Sequence, residues 1–417
     1  MTTLPDHRLH SFRARRRDRD SLAVCAAAVA LLALGATTAR SQEPTGAAAR
    51  PTGREIAGVP ALNYNSDEGF GYGALLAVYD YGTRGADPYR YTLQPTVFFT
   101  TGGRRDLTMF FDAPSALGAR WRLTAFAGDE KQSASPYYGT GNESRYDETL
   151  EAEPNSRYYR FGRRQSRGAA DAQYRLGASP LRLLGGVGAA RTSVDPTADG
   201  GTTLLAQELG GRAAADGWSN YVRFGLVWDS RDREVGPTRG RWAEVLVQRF
   251  DRSVGSDWDF TRSTLTWREY VSLSRRLVLA GRVLAQQVSG DAPFYELAFV
   301  QSSFKQQEGL GGLGTVRGLP KNRYVGKGVV VLNGELRWRA ADVRLLRKPA
   351  YVVLSGFGDA GRVWGGAIRA SEVTKDLHVG YGGGVRLGLG PNFLVALDVG
   401  HSAQATAPIY LGLGYMF

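Results

Sequence analysis

The sequence predicts an all-β fold, a transmembrane antiparallel β-barrel of about sixteen strands. Three observations carry that prediction: an export signal at the N-terminus, a long unbroken series of short alternating runs, and a final strand ending on Phe417. Composition agrees with it. Of 417 residues 54 are Gly and 11% are aromatic, yet mean hydropathy is only −0.28. A helical membrane protein is far more hydrophobic, whereas a barrel alternates lipid-facing and lumen-facing residues and averages out. No later segment reaches the roughly 18 consecutive apolar residues of a helical span. A closed barrel is then the remaining way to sit in a membrane, because it satisfies every backbone hydrogen bond within the sheet.

The first element is residues 1–41, read as a signal peptide. Arg13, Arg15, Arg16, Arg17 and Arg19 form a basic region ahead of the apolar run Leu22 to Gly35, and Ala39-Arg40-Ser41 supplies small residues for cleavage. Cys25, the only cysteine, lies inside this segment, so the exported chain has no thiol for a disulfide or metal site. The segment holds seven Arg and three Asp, so four of the +12 net charges leave with it and +8 remain. Those are assigned to a lumen lining or to lipid phosphates, since no basic cluster interleaved with aromatics suggests nucleic acid.

Residues 42–57 read as a short periplasmic lead rich in Ala, Pro and Gly, and 58–417 as the barrel. Within it the expected strands are 58–65, 69–82, 89–101, 104–112, 118–128, 155–177, 180–193, 217–230, 240–251, 258–274, 276–289, 328–340, 350–364, 377–389, 392–400 and 408–417. The period-two pattern is clear in several. Val222, Phe224, Leu226 and Trp228 oppose Arg223, Gly225, Val227 and Asp229; Leu332, Gly334, Leu336 and Trp338 oppose Asn333, Glu335, Arg337 and Arg339. Charges on alternate residues of a membrane strand must face water, so they line the lumen. Long connections at 129–154, 194–216 and 290–327 fall on one side and short turns such as Ala178-Ser179-Pro180 and Gly390-Pro391-Asn392 on the other, the outer-membrane asymmetry.

The last strand places Ile409, Leu411, Leu413, Tyr415 and Phe417 on one face. Leu413, Tyr415 and Phe417 resemble the terminal signal by which outer-membrane precursors are recognised and inserted, an edge strand offering one apolar face to a partner sheet. An ordinary closing strand is the alternative.

Two motifs carry a family resemblance. Gly309, Gly311, Gly312 and Gly314 lead into Val316-Arg317-Gly318-Leu319-Pro320, and Phe357-Gly358-Asp359-Ala360-Gly361 follows. They resemble the V-R-G-F/Y motif of the sixth outer loop and the F-x-D-x-G motif of the thirteenth strand in BamA- and TamA-like barrels, the bacterial surface antigen family. Tyr137 to Asn142, Asp229 to Asp232 and Pro237 to Gly240 resemble further recurrent stretches of that superfamily. The resemblance spans roughly residues 58–417 and departs at Leu319, where the family carries an aromatic. It implies that the sixth outer loop folds back into the lumen, with Arg317 contacting Asp359 and, on the intervening strand, Glu335. Read without the resemblance, Arg317 is a surface-loop arginine and Asp359 a turn residue.

The expected chain has no POTRA domains ahead of the barrel, which points to the short, barrel-only branch. The resemblance implies a role in outer-membrane protein or lipid assembly, with a passive, anion-favouring pore lined by Arg223, Arg282, Arg337 and Arg339 as the other reading. Expected partners are outer-membrane lipids and lipopolysaccharide, the barrel assembly machinery during insertion, and client outer-membrane proteins or lipids. No cofactor, metal or catalytic residue is expected. His378 and His401 are single residues near strand ends without metal-ligand spacing, His7 and His10 leave with the signal, and no G-x-S-x-G elbow is present.

Overall fold

The computed structural model describes residues 52–417 apart from 66–68, 87, 116, 152–155, 305, 346–347 and 390–391. The signal segment with Cys25, residues 42–51 of the lead, and Gly390-Pro391 lie outside the described residues. Among the described residues the chain forms one large antiparallel sheet of 17 strands. One of these is the two-residue piece Gly217–Trp218 hung on a longer neighbour, which leaves sixteen wall strands. They are β1 Gly53–Asn65, β2 Gly69–Gly82, β3 Tyr91–Thr100, β4 Arg105–Ala113, β5 Trp121–Pro136, β6 Arg160–Arg175, β7 Leu181–Asp195, β8 Tyr221–Asp229, β9 Gly240–Phe250, β10 Phe260–Ser272, β11 Leu277–Gly290, β12 Gly328–Leu345, β13 Lys348–Trp364, β14 His378–Leu389, β15 Phe393–His401 and β16 Ile409–Leu413. Each pairs with the next in sequence.

The polarity is inverted relative to a soluble protein, as alternation requires. On β10, Phe260, Arg262, Thr264 and Thr266 are buried while Ser263, Leu265 and Trp267 are exposed. Phe224 is 64% exposed toward lipid while Arg223 beside it is 4% exposed. Leu336 and Trp338 face out and Asn333, Glu335 and Arg337 face in.

Several boundaries differ from the sequence reading, among them β6, which starts at Arg160 rather than 155, and β12, which runs to Leu345 rather than 340; three others bear on the ends of the wall. The lead does not extend to residue 57: β1 begins at Gly53 and pairs along its length with β2. Without it the last residues of β2 would present unpaired backbone groups. β5 does not stop at 128 but runs to Pro136. Its polar end, Asp129 to Ser135, looks like a loop by composition, but β6 supplies its ladder partners up to Arg160. At the other end β16 stops at Leu413 rather than at 417.

The outer loops close the top of the barrel. Residues 196–220 contain a short helix, α1 Leu204–Leu209, capped by Thr203. The sixth outer loop, residues 291–327, turns inward. Its Val300, Leu310, Val316, Leu319 and Tyr324 pack with Leu284, Val329, Val331 and Val363 of the wall in one buried apolar cluster. Near the two ends of the sheet, the lumen faces of β2 and β15 touch. Tyr79, Tyr81 and Tyr89 pack on Phe393 and Val395, and the Asn392 amide donates to Tyr81 Oη at 3.1 Å.

Candidate functional site

The site is built where the sixth loop meets β12–β16. Glycine makes the approach possible. A Cβ on Gly380 of β14 would lie 1.8 Å from the Arg317 carbonyl oxygen, and one on Gly361 of β13 would lie 2.3 Å from Leu310 Cδ1. Gly318 itself takes φ +101, a left-handed conformation that L side chains avoid. Val316 is fully buried beside Arg317 in the cluster under the loop.

Arg317 is fully buried. Its Nε donates to Asp359 Oδ2 at 2.8 Å and its Nη2 to Asp359 Oδ1 at 3.1 Å, a forked pair. The Arg317 backbone N–H also donates to Asp359, at 3.1 Å. Nη1 reaches Glu335 at 2.9 Å and Asp398 at 3.3 Å. The guanidinium lies 3.5 Å from the centroid of the Phe357 ring, so one face is covered by π density. Asn333 holds Asp359 in place at 2.8 Å and accepts the loop by donating to the Thr315 carbonyl at 2.7 Å. Burial opposes the charge on Arg317, but Asp359, Glu335 and Asp398 together raise its pKa above that of an ordinary arginine.

The cluster is larger than the pair expected from the motifs. Arg337 donates to Glu335 at 2.9 Å, and Arg386 pairs with Asp398 and lies 3.5 Å from Glu335. Three arginines, 317, 337 and 386, therefore meet three carboxylates, 335, 359 and 398, in a buried group without net charge. That balance is what makes its burial tolerable. Asp398 and Arg386 were not singled out in the sequence. Both sit at lumen-facing positions of alternating strands, so period-two reading of β14 and β15 carries the signal.

Beyond Arg317 the loop tip reaches the end of the barrel. The Gly318 N–H donates to Tyr410 Oη of β16 at 3.0 Å, and Ser402 Oγ donates to the Gly318 carbonyl at 2.8 Å. One loop thus touches β12, β13, β15 and β16. The third outer loop locks this arrangement from above. Asn142 accepts from the Val363 N–H at 3.1 Å and donates to the Asp376 carbonyl at 3.1 Å, and the Gly141 N–H donates to Val325 O at 2.8 Å.

The C-terminal residues are placed differently from the expectation. Tyr415 and Phe417 do not continue the lipid face of Leu411. Gly414, at φ +82, turns the chain inward, and Phe417 is buried with Tyr270 and Ala280. Arg337 donates to the Phe417 backbone oxygen at 2.8 Å and stacks on the Tyr415 ring at 3.9 Å. The aromatic end leaves water by covering arginines at the periplasmic mouth, where cation–π contact is available. Leu413 keeps its place in the ladder opposite Val395.

A second lumenal anchor lies at that mouth. Glu234, in the turn between β8 and β9, takes a two-point contact from Arg122 at 2.8 Å, and Arg122 also grips Asp112 at 2.7 Å. Burial alone would push the Glu234 carboxyl up, but the Arg122 guanidinium holds it below the usual glutamate range. In the same turn Arg231 forks onto Asp229 at 2.8 Å.

A family model for the Omp85 superfamily domain matches residues 100–417. The chain belongs to the Omp85 superfamily. As a member it is an integral outer-membrane β-barrel. Two solved structures share the fold of this Omp85 chain. BamA from Haemophilus ducreyi lacking POTRA domains 1–3 is 13% identical, with 87% of this chain and 69% of that one covered, at a TM-score of 0.51. CdiB from Escherichia coli is 12% identical, with 87% and 60% covered, at 0.54. The Omp85 chain therefore spans less than two thirds of the length of CdiB. Comparison with curated proteins returns no match.

Proposed function

We propose that this Omp85 barrel works, without catalysis of its own, in outer-membrane biogenesis, helping to insert or translocate outer-membrane proteins or lipids. The observation that carries the reading is the reach of the sixth loop. Arg317 and Gly318 tie β12, β13, β15 and β16 to one lumenal point, beside the last strand, whose 5 residues contrast with the 13 of the first strand at the other edge of the sheet. A short last strand leaves backbone groups of the longer first strand free for another strand, the chemistry of strand addition. The loop would brace the wall while those edges yield. The partners in this reading are client proteins or lipids, lipopolysaccharide, and the barrel assembly machinery during the chain's own insertion. Depletion in the native host tests it: altered outer-membrane protein or lipid profiles are expected, and unchanged profiles on loss of the protein would reject it.

The second reading, a passive pore, has one observation in its favour. Two cavities of about 240 Å³ each remain between the sixth loop and the wall from β3 to β10. Against it, the arginines that would attract anions are engaged: Arg223 by Asp171 and the Ser302 carbonyl, Arg282 by Asn333, Gln307 and the Gly314 carbonyl, Arg337 by Glu335. Arg339 lies at the periplasmic end with Asp342. Large, steady, anion-selective steps in planar bilayers would favour the pore.

A further inference from the structure

On the outer face of the barrel, the register of β4–β7 sets three rungs one above another. The upper rung carries Arg105 opposite Lys131 and Lys131 opposite Arg164. The next carries Asp129 opposite Ser166 and Ser166 opposite Arg191, which faces Trp218. The third carries Ala127 opposite Gly168 and Gly168 opposite Ala189. All these positions fall on the outward side by alternation. The extracellular end is uppermost, because β4 starts there at Arg105.

The rungs differ in chemistry as an amphiphile does. Four cations stand on the upper two, against Asp129 and Asp257. Arg105 and Arg164 both lean on Asp129, with Arg164 at 3.6 Å, and the Ser166 hydroxyl donates to it at 2.6 Å. Arg191 makes a long contact to Asp257, 3.9 Å, and lies 6.0 Å from the Trp218 ring. The Arg164 side chain is 61% exposed, and Lys131 is exposed as well. Directly beneath, the small residues of the third rung floor a shallow apolar trench of about 690 Å³, walled by Val97, Leu107 and Met109.

We propose that this patch binds a bisphosphorylated, multi-acyl glycolipid of the outer leaflet, its phosphates on Arg105, Lys131 and Arg164 and one acyl chain in the trench over Ala127, Gly168 and Ala189. Three features select that class. The surplus of cations asks for an anion. Strands lie about 4.8 Å apart, so the cation rung spans on the order of 10 Å, wider than one phosphate. The trench runs below the cations, toward the membrane interior, where an acyl chain continues from its headgroup. The site is independent of the assembly reading, since it lies on the lipid face and not at the lumenal loop.

The test uses the full chain folded in phosphatidylcholine nanodiscs carrying a small fraction of lipid A with both phosphates, measuring lipid A retained per barrel after repurification. The triple variant Arg105→Gln/Lys131→Gln/Arg164→Gln should weaken retention at least about tenfold, as expected for cations at an anionic headgroup. Gly168→Leu should weaken it about threefold by filling the trench. It should fold, since a Cβ there meets only a backbone oxygen at 3.8 Å. The double variant Arg339→Gln/Arg344→Gln, at the periplasmic end, should retain lipid A like the wild type. Equal capture of dephosphorylated lipid A or of phosphatidylglycerol by the wild type would overturn the proposal. So would wild-type retention in the triple variant or, should that variant not fold, in Gly168→Leu.

Discussion

Arg317 concentrates the chemistry of this chain into one side chain. A lysine there would keep the charge but lose the fork onto Asp359 and the simultaneous reach to Glu335 and Asp398. Arg317→Ala leaves three carboxylates facing two arginines in a dry interior, and should cost about 3–5 kcal/mol of barrel stability. Arg317→Lys should fall between. The urea unfolding midpoint of the folded barrel, with heat-modifiability on gels, measures both, and equal midpoints for wild type and alanine variant would remove the buried cluster from the account. Glu234 gives a pH signature. Its folded pKa lies below that of an unfolded glutamate, near 4.3 as a rough reference. Its contribution to stability is therefore present above the unfolded value and lost as pH falls through the folded one. Titration of the unfolding midpoint from neutral pH to about pH 3 should show a steeper acid loss in the wild type than in Glu234→Gln. Parallel curves would exclude Glu234 as a contributor.

The sixth loop is held by shape as much as by charge. It can lie against the wall only because β13 and β14 present glycine where its backbone and Leu310 approach. Gly380→Ala places a methyl against the Arg317 carbonyl, a backbone atom that has no rotamer with which to yield. The loop should lift from the wall, and external protease should then cut within 291–327, which the wild type should resist. Equal resistance would show that the wall, not the loop, moves. The motifs of this loop and of β13 were legible in the sequence because they combine unusual residues in fixed order. Asp398, Arg386 and the tuck of Phe417 were not. A single charge in a strand is indistinguishable from any other lumen residue until the register brings it to its partner. The inward turn at Gly414 depends on arginines from distant strands being there to receive the aromatic end.

At the scale of the whole molecule, the lumen is filled rather than open. Residues 294–304 enter it: Glu296 binds Arg262 at 2.8 Å, the Ser303 N–H donates to Glu244 at 2.9 Å, and the Gln301 N–H donates to Gln286 at 2.9 Å. Deleting 299–308 should join the two lumenal cavities and raise single-channel conductance several-fold above small wild-type steps in a planar bilayer. Wild-type steps already as large as those of the deletion would mean that the segment leaves the lumen in a membrane. The periplasmic mouth is narrowed separately, by the Glu234 turn and the C-terminal residues. A defect in one closure should therefore leave the other in place.

The sequence by itself determined the kind of molecule: period-two alternation specifies a barrel wall, loop asymmetry specifies its orientation, and two short motifs specify the Omp85 branch. These are local or nearly local signals, since each strand must sort its own side chains between lipid and water. The tertiary structure alone decided where the chain ends come to rest, which charges neutralise one another and how far the polar ends of the strands extend. Those outcomes depend on groups far apart in sequence, such as Arg122 with Glu234 and Arg317 with Asp398. Their pairing is set by strand register and by the expense of leaving a charge alone inside the barrel.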